Sequence, residues 1–386
     1  MPEFLRANAA VLHEALLNEM CLDRRYIQVY KPQGDFLHYK VMRQVALVRR
    51  LGPLLKPVLL IAAWLMPAVI LLRWLSSLAK SIRGDARLTD RGVWIIPTVK
   101  TNVPLISAGL KEAGVNESPQ ILDDLAAQLP RMMGFRNVLA ICPAILQLLW
   151  RLLMVPGGAR APLLLHARDA VEFLLLARFA RQHFSDIFAT ECHYQRWAFV
   201  LSHCANQLIL VQHGLLDSQN NFPCSGGNVE IAVVRDENSA RAFRRYYRLI
   251  KNVRVHAPKV PLQPMPCGAP AVFLASSFPT IDQEIAFARA LRDRRSFPLI
   301  VKLHPAHLYD QRGTELMNLA SHQARSDENP ECAVFISHSS SMELLYRSHG
   351  IRTVSLAQEP STLAAVEAVF RAVSDYCQFM DKHNSR

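Results

Sequence analysis

The sequence predicts an α/β protein made of two Rossmann-like halves, preceded by a basic, apolar helical segment that associates with a membrane. Three observations carry that expectation. From about residue 92, short aliphatic or β-branched runs alternate with helix-length segments, the rhythm of a parallel sheet. Residues 257–270 (APKVPLQPMPCGAP) hold five prolines and one glycine, which interrupts the rhythm and reads as a hinge. The chain has 386 residues, 51% of them apolar and 20% charged, enough for two cores and too apolar for disorder. The expected domains are 1–256 and 271–386, with the membrane-associating region at about 43–84.

In chain order the first strand is Val93–Pro97, and the series resumes at Pro162–His166, followed by a helix from about Asp169 to His183. Next come strand Asp186–Thr190, helix His193–Ala205, strands Gln207–Gln212 and Val229–Val234, helix Glu237–Ile250 and strand Val253–His256. After the hinge the expected elements are strand Ala271–Ala275, helix Ile281–Arg294, strand Pro298–Leu303 and helix Gly313–Ser321. Strand Cys332–Ser337, helix Ser340–Ser348, strand Arg352–Leu356 and helix Thr362–Tyr376 complete the pattern.

Lys and Arg number 44 against 32 for Asp and Glu, a net charge of +12. Residues 43–100 carry ten of the basic residues and two acids, Asp85 and Asp90, so most of the excess sits there. The same stretch contains the uncharged run Pro57–Leu72, bracketed by Lys56 and Arg73, with Trp64 inside it and Trp74 just beyond. As a helix that run reaches about 24 Å, short of a ~30 Å hydrocarbon core, and Pro67 is expected to kink it. An interfacial helix on an anionic membrane surface fits better than a spanning one. A core helix with a solvated basic rim is the competing reading, and the same choice applies to Pro143–Val155, whose only charge is Arg151. Charge gathered beside an apolar run, without exposed aromatics in a groove motif, argues against nucleic acid as a partner.

Residues 1–25 read as a charged helix with no continuous apolar centre, so the expected location is cytoplasmic. Eight cysteines without a CxxC pair suggest reduced thiols. GxGxxG after a strand, GxxxxGK[ST], HExxH, GxSxG and DxD are all absent, so neither NAD, a P-loop nor a metal site is indicated.

Chemistry is therefore sought at the strand-to-helix corners. Strand 298–303 ends in Lys302-Leu303-His304-Pro305, where Lys302 and His304 share a strand face and both suit phosphate oxygens. The next strand ends in Ser337-His338-Ser339-Ser340-Ser341 with Glu343 in the opening helical turn. Those hydroxyls cap the helix or hold a phosphate. Ser276 and Ser277 form a third corner. In the first half, Gln212-His213-Gly214 exposes an imidazole at a tight turn. Glu191 ends the preceding strand, a sensible arrangement for a general base with an orienting partner. Asp169, near His166 and Arg168, is a rival carboxylate that also suits a helix N-cap.

The set Gln212-His213-Gly214, Lys302-Leu303-His304-Pro305 and Ser339-Ser340-Ser341 with Glu343 resembles bacterial surface-polysaccharide glycosyltransferases of the two-Rossmann-domain type, called GT-B. The nearest in kind use cytidine-nucleotide donors: capsule and lipopolysaccharide Kdo transferases, sialyl- and polysialyltransferases, and teichoic-acid glycerophosphotransferases. The resemblance spans roughly residues 160–360, and the acidic-pair-glycine motif typical of polysialyltransferases is absent. It implies that the C-terminal half binds the donor and the N-terminal half the acceptor. Donor contacts then fall to Lys302, His304, Ser339, Ser340, Ser341, Glu343, Ser276 and Ser277, with Glu343 near the donor ribose or sugar. Acceptor chemistry falls to Glu191, His213 and Asp169, while Gln212 and Gly214 line the cleft. The expected reaction moves Kdo or a related ulosonic acid from a CMP donor to a lipopolysaccharide, capsule or other glycan or glycolipid acceptor. No cofactor or metal is required. The expected location is the inner face of the cytoplasmic membrane. Two alternatives stand beside it: a CDP-polyol phosphotransferase, and a non-catalytic nucleotide- or glycan-binding membrane protein.

Overall fold

Both sheets are covered on both faces at their centres, which is why the central strands read as almost unbroken apolar runs. The computed structural model describes residues 10–21, 55–83, 92–98, 100–154, 166–192, 196–213, 222–256, 262–264, 270–277, 280–294, 296–304, 307–308, 311–325, 328–338, 340 and 342–384. The chain divides into two compact units, Met1–His256 and Ala257–Arg386.

The first unit holds a six-stranded parallel sheet in the order β2-β1-β3-β4-β5-β6. Its strands are β1 (Val93–Ile95), β2 (Gln120–Ile121), β3 (Ile187–Cys192), β4 (Gln207–Gln212), β5 (Gly226–Val234) and β6 (Tyr247–Val255). Because β2 lies on one side of β1 and β3 on the other, the order reverses between β1 and β3. In open α/β sheets a ligand crevice forms beyond the carboxyl ends at such a reversal. Alternate residues serve two cores. Val93, Ile95, Ile209 and Val211 pack on one face against helix α3 (Val103–Glu112), and Trp94, Phe188, Leu208 and Leu210 pack on the other. A Cβ on Gly109 of α3 would lie 2.4 Å from a Val211 methyl, so only glycine lets this helix approach β4 so closely.

The second face is covered by helix α1 (residues 10–21), α2 (Leu55–Ile82), α4 (Leu125–Met133), α5 (Phe135–Leu139), α6 (Cys142–Met154), α7 (Ala167–Gln182) and α8 (Arg196–Cys204). Asn18 of α1 donates to the Tyr246 hydroxyl at 3.0 Å, tying it to the end of helix α9 (Glu237–Tyr246).

The second unit holds a five-stranded parallel sheet in the order β11-β10-β7-β8-β9. These are β7 (Val272–Ala275), β8 (Leu299–Lys302), β9 (His322–Gln323), β10 (Val334–Ser337) and β11 (Arg352–Ser355). Here the order reverses between β7 and β10. Helices α10 (Ile281–Arg292), α11 (Gln311–Asn318), α12 (Met342–Ser348) and α13 (Thr362–Asn384) surround it. Ser337, Ala275 and Lys302 are register partners, so three corners leave the sheet at one level.

Several expectations change. The helix expected over Glu237–Ile250 ends at Tyr246, and Tyr247 enters β6 directly, well before the expected Val253. Ladder pairing with β5 begins at Gly226 opposite Tyr247, and the missing side chain of Gly226 makes room for the Tyr247 ring. Helix α2 has 28 residues, contains Pro67 and runs ten residues beyond the uncharged run, to Ile82, because a charged residue such as Arg73 does not interrupt helical hydrogen bonding. The two-residue strands β2 and β9 are too short to leave a periodic signal. The strand expected at Pro162–His166 lies outside the described residues except for His166, which is the N-cap of α7.

Candidate functional site

In the first unit the polar corners gather at the reversal between β1 and β3. Glu191, 1% exposed at the end of β3, accepts the Thr98 backbone N–H at 2.7 Å and Asn102 Nδ2 at 3.0 Å. One carboxylate oxygen thus holds the loop that follows β1. His213, just beyond β4, feels the Glu191 charge. Burial lowers its pKa, helped by the nearby Arg235 and opposed by Glu191, so the ring is neutral at neutral pH and able to accept a proton. Arg235 donates from Nη2 to the His213 carbonyl at 3.2 Å, while its backbone N–H donates to Gln212 Oε1 at 2.8 Å. Gln212 is buried and braces β4 against β5. Gly214 lies outside the described residues.

Beside this corner is a cavity of about 590 Å³. Thr98, whose amide is held by Glu191, forms part of its wall, together with Arg73 of α2, Asp169 and Glu172 of α7, and Arg196 and Trp197 of α8. Asp169 is not the N-cap expected of it. His166 takes that position, and Asp169 sits one turn into the helix, where its Oδ2 lies 2.9 Å from His166 Nδ1. Glu19, His166 and Asp169 are all buried, with ligand atoms within 4.8 Å of one another, a set that could hold a metal ion. Glu19 also accepts the Arg196 backbone N–H at 3.1 Å, and Arg196 is the one non-glycine residue at positive φ, 52°, among those described. Burial raises the pKa of Glu172 despite its pairing with Arg168.

In the second unit the expected phosphate corner is rearranged. Lys302 does not pair with His304 as a double donor: its Nζ donates to the Glu328 carbonyl at 2.8 Å and to Asn329 Oδ1 at 3.3 Å, anchoring the segment ahead of β10. His304 keeps an exposed edge, while burial of the rest of its ring, helped by His307, lowers its pKa to about 4. Its backbone N–H donates to Ser276 Oγ at 3.0 Å. Ser340 Oγ accepts the Met342 N–H at 3.2 Å and so caps α12, and Glu343 pairs with Arg347 one turn on. Ser339 and Ser341 lie outside the described residues.

One polar residue at this corner, Glu284, carries no sequence signal of its own, while Ser277 and His338 belong to corners already marked by the sequence. His338 Nδ1, beyond β10, is buried with no hydrogen-bond partner among the described residues, and Ser277, beyond β7, turns its hydroxyl towards the Glu284 carboxyl. They flank the reversal of strand order, where an unfilled hydrogen-bonding capacity suits a ligand. Glu284, fully buried in the first turn of α10, accepts the Ser277 N–H at 2.8 Å and the Thr280 hydroxyl at 3.0 Å. Burial raises its pKa to about 8. Arg235, Asn102 and Glu284 sit among ordinary neighbours in the chain, so only folding reveals their partners. Ser276 and Ser277 are brought together with His304 and His338, and Glu191 with His213. No family model, curated protein or solved structure matches the chain.

Proposed function

We propose that the protein is a GT-B glycosyltransferase that acts at the inner face of the cytoplasmic membrane. It moves a sugar, Kdo or a related ulosonic acid, from a CMP donor to a surface-glycan precursor. The observation that carries this reading is a coincidence of two kinds. In each sheet, polar residues singled out in the sequence stand at the carboxyl edge beside the reversal of strand order.

In this reading the second unit holds the donor phosphate through the His304 imidazole, the Ser277 hydroxyl and His338. Hydrogen bonds to the phosphate oxygens lower the energy of the departing CMP. The acceptor hydroxyl attacks the anomeric carbon, the bond from that carbon to the phosphate oxygen breaks, and CMP leaves. His213 takes the acceptor proton, and the Glu191 charge steadies the imidazolium that results. The phosphate charge is met by hydrogen-bond donors, and the reaction calls for no metal.

Thermal-shift measurements with nucleotides test the donor. Stabilisation by CMP above UDP and GDP is expected, and a preference for either of the others rules out the cytidine assignment. Transfer or donor-hydrolysis assays on Glu191→Ala and His304→Ala separate an enzyme from a binder. Full activity in both variants would place the site elsewhere.

A further inference from the structure

We infer that the first unit docks on anionic membranes through one in-plane apolar face, made jointly by the outer ridge of α2 and by α5 with α6. This deepens the membrane location proposed above and rests on it.

Two stretches of the unit have the length and composition of a membrane span: Leu65–Ile82, and the bent pair Leu125–Met133 with Phe135–Arg151. Both are held along one side by the protein core. On α2 a stripe of Met66, Ile70, Trp74, Ser77 and Ser81 is buried, covering roughly 22 Å of helix at about 1.5 Å per residue. In the second stretch Leu125, Leu129, Met133, Val138, Ile145 and Leu148 are buried in the same core. A helix packed along its length against a polar-edged domain cannot run through a bilayer, and Arg73 would fall near the middle of such a span, where charge is costly.

The opposite sides are apolar and uncovered. Ile61, Leu65 and Leu72 on α2, and Leu146, Trp150 and Leu153 on α6, are all exposed, Trp150 to 62%. The helices pack on one another, so these side chains belong to neighbouring elements. Their charge is one-sided. Residues 55–83 and 125–154 contain no Asp or Glu and seven basic residues: Lys56, Arg73, Lys80, Arg83, Arg131, Arg136 and Arg151. Protein partners recognise mixed charge at the rim of an apolar patch. A rim in which cations outnumber acids around Trp and Leu matches anionic headgroups over hydrocarbon. The cavity wall takes Val69 and Arg73 from the same α2, so an acceptor held there lies against the docking helix.

Vesicle flotation of the full chain tests this. Wild type is expected to float with phosphatidylcholine vesicles containing phosphatidylglycerol, to float poorly with phosphatidylcholine alone, and to be released by an alkaline wash. Trp150→Glu with Leu153→Glu, and separately Leu72→Glu, should each weaken partitioning at least tenfold with an unchanged melting temperature. Quenching of tryptophan fluorescence by brominated lipid, reduced in Trp150→Phe, gives a second readout. If wild type floats and the α6 variant floats equally well, the joint face is wrong while the membrane location stands. If wild type fails to float, both fall. Resistance to the alkaline wash would mean a spanning helix and overturn the in-plane geometry. A dimer in solution that Trp150→Glu turns into a monomer, without vesicle binding, would assign the face to a second copy instead.

Discussion

Two glutamates occupy matching places in the two units and are used differently. Glu191 and Glu284 are 1% and 0% exposed, and each receives one backbone N–H and one side-chain donor at a strand-to-helix corner. The surroundings differ in charge. His213, with Arg235 beside it, feels the Glu191 charge, whereas burial dominates at Glu284 and raises its pKa to about 8. Local hydrogen bonding alone therefore does not fix the role of a buried carboxyl. The Glu191 charge acts on the His213 imidazole, whereas burial without such a neighbour makes Glu284 a neutral brace for the Ser277 loop.

The sharpest way to break this contrast is to remove each charge while keeping the shape. Glu191→Gln retains an acceptor for Thr98 and is expected to lower transfer by about 10²-fold or more, the scale of general acid–base assistance, with folding largely kept. Equal loss of activity in Glu284→Gln would dissolve the distinction. For Glu284 the expected effect is on stability. Its folded pKa of about 8 stands above the ordinary 4.5, so the native state binds the extra proton between those values. The stability contributed by this group is then fully present below about pH 4.5, is lost as pH rises towards 8, and changes no further beyond. Thermal melts at several pH values should show that decline in wild type and a flatter profile in Glu284→Gln.

A smaller effect separates the two basic residues of the second unit. His304→Ala is expected to weaken CMP about tenfold, the worth of one good hydrogen bond to an anion, as read by calorimetry. Lys302→Met should leave CMP affinity within about threefold and cost instead about 1–2 kcal/mol of stability, because its partners are Glu328 and Asn329. A reversed pattern would restore Lys302 to the phosphate.

The parallel α/β rhythm was legible because strands buried on both faces leave continuous apolar runs such as Leu208–Val211, and the break at 257–270 was legible because proline and glycine punctuate. The strand orders were not, since nothing in a strand states its neighbour. The corners at His213, Ser276 and His304 were legible as polar residues ending apolar runs. What those side chains bond to was not. Lys302 looked like an anion ligand until the segment at 328–329 folded over it, and Ser340 proved to be a cap. Glu19 and Arg235 acquire meaning only from residues distant in sequence, and Glu284 from a loop that folds back on its own helix.

The stripe that fastens α2 to the core has a kinetic consequence. Many amphipathic anchors are coils in water that become helices on lipid, and the ordering slows and weakens each arrival. In the docking proposed above the helix is already formed and fixed, so landing requires no folding step, and departure leaves nothing to unravel. Residence on a bilayer should then follow lipid charge and ionic strength, with exchange between vesicles faster than that of an anchor that folds as it binds.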